Sequence, residues 1–170
     1  MPFEMDQERD LTDRGIEMWA REVPELDTSG KAVTGRLLML GEMVFERMNE
    51  TTTKFGLKYT TYAIIATLRV SGPPYRLSPK ALQATLLITS GGLSNLLART
   101  EKQGLIRRMT DPEDGRGVVV ELTEEGLRTA TEVMPVQAEA ERNLTRMFSE
   151  DERQLLIDLL RRMILINSIG

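Results

Sequence analysis

Two groups of residues in this 170-residue chain have the types and spacing to do chemistry, and that chemistry is recognition rather than catalysis. The first is Arg116, set between Gly115 and Gly117 in the stretch RRMTDPEDGRGVVVELTEEG, residues 107–126. It is the one base in the loop 111–117, which also holds three acids. A lone cation so surrounded is poorly placed for general attraction to a polyanion. It makes sense if the Asp114 carboxylate fixes its guanidinium, which can then enter a narrow, electronegative DNA minor groove. The second group is Ser90, Gly91, Gly92, Ser94, Asn95, Arg99 and Lys102, on the face of a helix over 89–103 opposite Leu93, Leu96 and Leu97. Small residues let the start of such a helix approach DNA, and Ser, Asn and Arg donate to phosphates and base edges. A plainer reading stands beside each: a turn arginine paired with an acid, and an ordinary solvent-facing helix surface.

Catalytic chemistry has little to work with. Histidine and cysteine are both absent, which removes the commonest general base, the commonest metal ligand, thiolate chemistry and disulfides. No spacing of carboxylates, serines or lysines suggests a catalytic centre. No enzyme activity, cofactor or metal is expected. No apolar run reaches about 18 residues, and the start MPFEMDQERD is acidic, unlike a signal peptide. A cytoplasmic protein without a membrane partner follows as the expectation. The net charge of -4 hides a segregation: residues 1–50 hold 12 acids and 6 bases, 51–120 hold 10 bases and 4 acids, and 121–170 hold 10 acids and 6 bases. A basic middle suits a polyanion, while acidic ends repel one.

The elements that must position these residues read as follows. LTDRGIEMWAREV before Pro24 is a short helix with Leu11, Ile16, Trp19 and Val23 as its apolar side. From about Lys31, the positions Val33, Leu37, Leu40, Val44, Phe45 and Met48 give a long amphipathic helix that stops by Gly56. TTYAIIATLRV is a buried helix closed by SGPP. In LSPKALQATLLI, Ser78 caps, Pro79 opens the helix and Leu77 can staple onto Leu82. A tight ITS connection leads into the 89–103 helix, which Gly104 stops. Strands over 105–110 and 118–122 form a hairpin, with Val118, Val120 and Leu122 on one face. The acids Asp111 and Glu113 must turn away from DNA or pair with Arg107 or Arg108. Thr123 caps a long helix that Pro135 bends, and Ser149 with Glu152 boxes the start of the last helix. The fold expected is mainly α with one β-hairpin (α+β), a helix-turn-helix followed at once by a wing.

LSNLLARTEKQGLIRRMTDPEDGRG and DGRGVVVELTEEG resemble the recognition helix and wing of the MarR family of bacterial transcription regulators. The resemblance runs over roughly residues 35–165, and the Trp19 helix with LRVSGPPYRLSP looks like the branch with an extra N-terminal helix. One departure is Gly115, where a further arginine is common. The resemblance implies a homodimer built by helices in 1–56 and 123–170, with 57–122 as the winged helix-turn-helix that binds double-stranded DNA at a pseudo-palindromic operator. The breadth of the apolar face after 149, with the stripe from Val33 to Met48, independently calls for a partner. It further implies a repressor released by a small aromatic or phenolic effector, with Trp19, Met39, Met43, Tyr59 and Tyr62 as candidate lining; plain packing is the other reading of those five. Ala63 and Leu96 stand where urate-responsive members carry Asp and Arg, which argues against urate. A winged-helix scaffold that binds a protein partner without ligand control is the alternative.

Overall fold

The computed structural model describes residues 9–86, 90–112, 115 and 117–168, and for Ser90 the backbone only. In chain order the elements are α1 (Leu11–Glu22), α2 (Ser29–Thr53), α3 (Tyr59–Val70), β1 (Arg76–Leu77), α4 (Pro79–Leu86), α5 (Ser90–Lys102), β2 (Ile106–Thr110), β3 (Val118–Leu122), α6 (Glu124–Thr145) and α7 (Glu150–Asn167). They fall into two units, residues 1–46 and 47–170.

The first unit is opened by a reciprocal cap. The Asp10 carboxylate accepts from the N–H groups of Thr12 at 2.8 Å and Asp13 at 3.0 Å, and the Asp13 carboxylate accepts from the Asp10 N–H at 3.0 Å. Arg36 on α2 reaches both acids, with Nε 2.8 Å from Asp10 and Nη2 2.6 Å from Asp13. The hydrogen bond from Arg36, helped by the Asp10 N–H, holds the Asp13 carboxyl below its ordinary range. A depressed folded-state value means that this clip is complete above the ordinary carboxylate pKa and is lost as pH falls through the depressed one. α1 buries none of its residues, and Leu11 and Trp19 stay exposed.

The second unit starts in the last turns of α2, where Met48, Thr51 and Thr52 are buried. Its centre is α3, whose Ile64, Ile65 and Leu68 are fully buried and which packs on α4, α5, α6 and β3. The Ser78 hydroxyl accepts from the Ala81 N–H at 3.2 Å, Pro79 is the first helical residue, and Leu82 is buried with Leu77 packed against the same core. Residues 87–89 of the ITS connection lie outside the described residues.

The sheet has one strand more than the sequence suggests. Its order is β1-β3-β2, with Arg76 opposite Glu121 and Leu77 opposite Val120. A two-residue strand carries no periodicity, and β1 is delivered by a turn in which Tyr75 takes φ 60. Burial also departs from simple alternation. Val118 shares a face with Val120 and Leu122 but is 52% exposed, because it lies toward the wing tip, beyond the core. Val119 and Glu121 on the opposite face are buried. α6 continues through Pro135 as one element. α7 begins with the expected box, the Ser149 N–H donating to Glu152 at 2.8 Å and the Glu152 N–H to the Ser149 hydroxyl at 3.3 Å, and it buries no residue in the chain.

Candidate nucleic-acid interface

α5 has two unlike sides. Leu93, Leu97 and Thr100 are buried and Leu96 is half-buried, while Gly91, Gly92, Ser94, Asn95, Arg99 and Lys102 are exposed. The backbone of Ser90 opens the helix; its side chain lies outside the described residues. Gly91 is the second residue of the helix, in its first turn. A Cβ there would meet nothing within 4 Å. No described neighbour fills the place that a side chain would take there. Arg99 and Lys102 occupy the last turn, where the negative end of the helix dipole already favours cations.

At the base of the wing the Asp111 N–H donates to the Gly117 carbonyl at 2.8 Å, and the Gly115 N–H to the Asp111 carbonyl at 2.7 Å. Gly115 adopts φ 67, a conformation that favours glycine. Asp114 and Arg116, the expected carboxylate–guanidinium pair, and Glu113 lie outside the described residues.

Arg107 and Arg108, considered as partners for the wing acids, pair with other carboxylates. Glu101, at the end of α5, accepts from the Arg108 N–H at 2.9 Å, its Nε at 2.9 Å and its Nη2 at 2.5 Å. The hydrogen bonds from Arg108 hold the Glu101 carboxyl below the usual carboxylate range. Glu121 lies between Arg107 at 3.1 Å and Arg76 at 3.5 Å, a charge row across all three strands. The positive count of the sequence middle therefore overstates what is offered outward: three of its arginines have carboxylate partners within the fold. Sequence reasoning missed Glu101 and Glu121. Their one signal, acids close in sequence to an Arg-Arg pair, does not tell which acid meets which arginine.

The five candidate effector residues belong to both units, three to the first and two to the second. Trp19 and Met39 line one groove of about 390 Å3 between α1 and α2, with the Lys31 ammonium 4.2 Å above the Trp19 ring. Met43, further along α2, is exposed. In the second unit, Tyr59 and Tyr62 are neighbours on α3, their ring centroids 6.1 Å apart. Burial, with Glu141 and Tyr59 adding to it, pushes the Tyr62 phenol up to about 12. Tyr62 belongs to the core cluster and Tyr59 packs against it.

A sequence model of the MarR family matches residues 55–117. The HTH-type transcriptional regulator PecS of Dickeya dadantii (strain 3937) is 33% identical over 148 residues, covering 87% of this chain and 89% of that protein. The fold is similar to that of AbsC, a MarR family transcriptional regulator from Streptomyces coelicolor, with TM-score 0.76 and 22% identity over 85% of this chain and 99% of that one. It is also similar to Sco3205 from the same organism, solved in complex with DNA, with TM-score 0.73 and 24% identity over 81% of this chain and 87% of that one. At these identities the structural likeness speaks to the fold alone. No single helix among the described residues is long and apolar enough to cross a membrane.

Proposed function

The chain belongs to the MarR family, and on that premise we propose that it is a homodimeric, sequence-specific DNA-binding regulator of transcription. It acts in the cytoplasm as a repressor released by a small molecule, and it is not an enzyme. The observation that carries this reading is the outward face of α5: small at its start, polar along its length and cationic at its end, beside a β-hairpin. In this assignment residues 57–122 form the DNA-binding lobe. Ser90, Gly91, Gly92, Ser94, Asn95, Arg99 and Lys102 serve the major groove and its phosphates, and Arg116, held by Asp114, serves the minor groove. Two such lobes related by a twofold axis read a pseudo-palindrome with half-sites about one helical turn apart. Helices in 1–56 and 123–170 make the dimer, supported by the exposed apolar residues of α2 and α7.

Release requires a ligand that favours a spacing of the two recognition helices that misfits DNA. An aromatic or phenolic molecule suits the groove at Trp19 and Met39, and Met43, Tyr59 and Tyr62 complete the candidate set.

The test is a fluorescence-anisotropy titration against a duplex selected from random DNA, with an unselected duplex and a salt series alongside. Saturable binding that prefers the selected duplex and weakens with salt is expected. Arg116→Ala is expected to cost about 1–3 kcal/mol of that binding with the dimer intact; equal affinity at matched salt would remove the wing from the reading. Gly91→Ala separates fold from function by sign. It is expected to stabilise the protein slightly, by no more than about 0.5 kcal/mol in a first helical turn, because the added methyl meets no described neighbour, yet to weaken duplex binding. A variant that is more stable and binds equally well would show that nothing approaches α5 there. If no duplex bound even at low salt, the proposal as a whole would fall.

A further inference from the structure

Glu101 stands in the last turn of the proposed recognition helix, yet its carboxylate is engaged by the wing. The Arg108 N–H points out from β2 on the side away from β3, since β2 is an edge strand of the sheet. An edge N–H of this kind normally faces solvent; here it donates to Glu101 Oε1 at 2.9 Å. The Arg108 guanidinium donates to the other oxygen, Oε2, through Nε at 2.9 Å and Nη2 at 2.5 Å. One carboxylate thus holds the backbone of the strand residue with one oxygen and its guanidinium with the other, which fixes orientation as well as distance. Ile106 is held by burial in the core, but beyond it the strand carries exposed side chains at Arg107 and Arg108.

We propose that Glu101 is a positioning residue that locks the first wing strand to the recognition helix, so that major-groove and minor-groove elements meet DNA as one rigid reader. The inference rests on the DNA-binding reading above. It makes a prediction opposite in sign to that of simple electrostatics. Glu101 is an acid near a surface proposed to meet phosphates, so removing its charge should tighten binding to any duplex if charge were its only role. A loosened reader instead loses the preferred sequence and keeps its general attraction.

The experiment measures wild type, Glu101→Gln and Glu101→Asp by anisotropy at one salt concentration, against a duplex selected with the wild-type protein and against an unselected one. Glu101→Gln keeps the shape and removes the charge; Glu101→Asp keeps the charge and falls one methylene short. Both are expected to lose about tenfold on the selected duplex, the scale of one mismatched base pair, with unselected binding unchanged or, for Glu101→Gln, tighter. Far-UV circular dichroism and Tm confirm that the variants are folded at the assay temperature. If Glu101→Gln does not fold, Arg108→Lys, which keeps the charge and loses the planar pair of Nε and Nη2 donors, carries the same expectation. Retention of the wild-type preference by these variants overturns the proposal, and so does an equal loss on both duplexes. Failure of the wild type to bind any duplex is read in its own arm and overturns the DNA-binding reading together with this inference.

Discussion

Gly126→Ala is expected to destabilise the second unit by about 3 kcal/mol, near the top of the ordinary overpacking range. For a chain of this length that is a fall in Tm of roughly 6–12 °C. Gly126 lies in the first turn of α6, directly over the turn that joins α5 to β2. A Cβ placed on it would sit 1.9 Å from the Leu105 carbonyl oxygen and 2.9 Å from the Leu105 carbonyl carbon. Both are backbone atoms, so no rotamer change can clear them. The surroundings are pinned as well. The Thr123 N–H donates to that same Leu105 oxygen at 3.1 Å, the Thr123 hydroxyl donates to the Gly104 carbonyl at 2.6 Å, and it accepts from the Gly126 N–H at 2.9 Å. Relief demands that α6 lift from the α5–β2 turn, breaking its own N-terminal cap. Thermal unfolding followed by circular dichroism checks the expectation. A Tm within about 2 °C of wild type, less than 1 kcal/mol on this scale, would mean that the helix shifts without cost.

Gly126 also shows where a sequence stops informing. In LTEEG it reads as an ordinary residue of a first helical turn, and the reason for it lies on Leu105, on the far side of the hairpin. Features that are local in sequence were legible. The caps at Ser78, Thr123 and Ser149, the helix stop at Gly104 and the buried stripe of α5 each depend on residues a few positions apart. Features made through space were not. β1 is two residues long and exists by pairing with β3, more than forty residues onward. Arg107 and Arg108 find Glu121 and Glu101, because strand register and the closeness of the α5 terminus decide partners that charge spacing leaves open. The outward face of α5 was legible because helical periodicity alone separates it from the leucines. Asp114 and Arg116 lie outside the described residues, so the wing-tip assignment still stands on the sequence.

Replacing Leu155 and Leu159 together by Glu is expected to convert a dimer to monomers and to weaken binding to a two-half-site duplex by roughly 10²–10⁴-fold. The two residues are one helical turn apart on α7, are 61% and 45% exposed in the single chain and lie outside its buried core. α7 has nine large apolar side chains exposed along its 18 residues, more than a soluble monomer leaves uncovered in one contiguous patch. A second copy covers such a patch with the fewest assumptions, because the same helix is present on both partners and a twofold axis makes it self-complementary. Two carboxylates placed in that seam would be desolvated without a counter-ion, which costs far more than the lost methyl contacts. The expected result is specific: half the wild-type mass by sedimentation, helicity preserved, affinity for a single half-site unchanged, and loss confined to the paired site. That loss is the effective concentration that tethering supplies, with no base contact altered. A variant that sediments as wild type would place the dimer seam elsewhere, and a wild-type protein that sediments as a monomer would remove the dimer from the proposal.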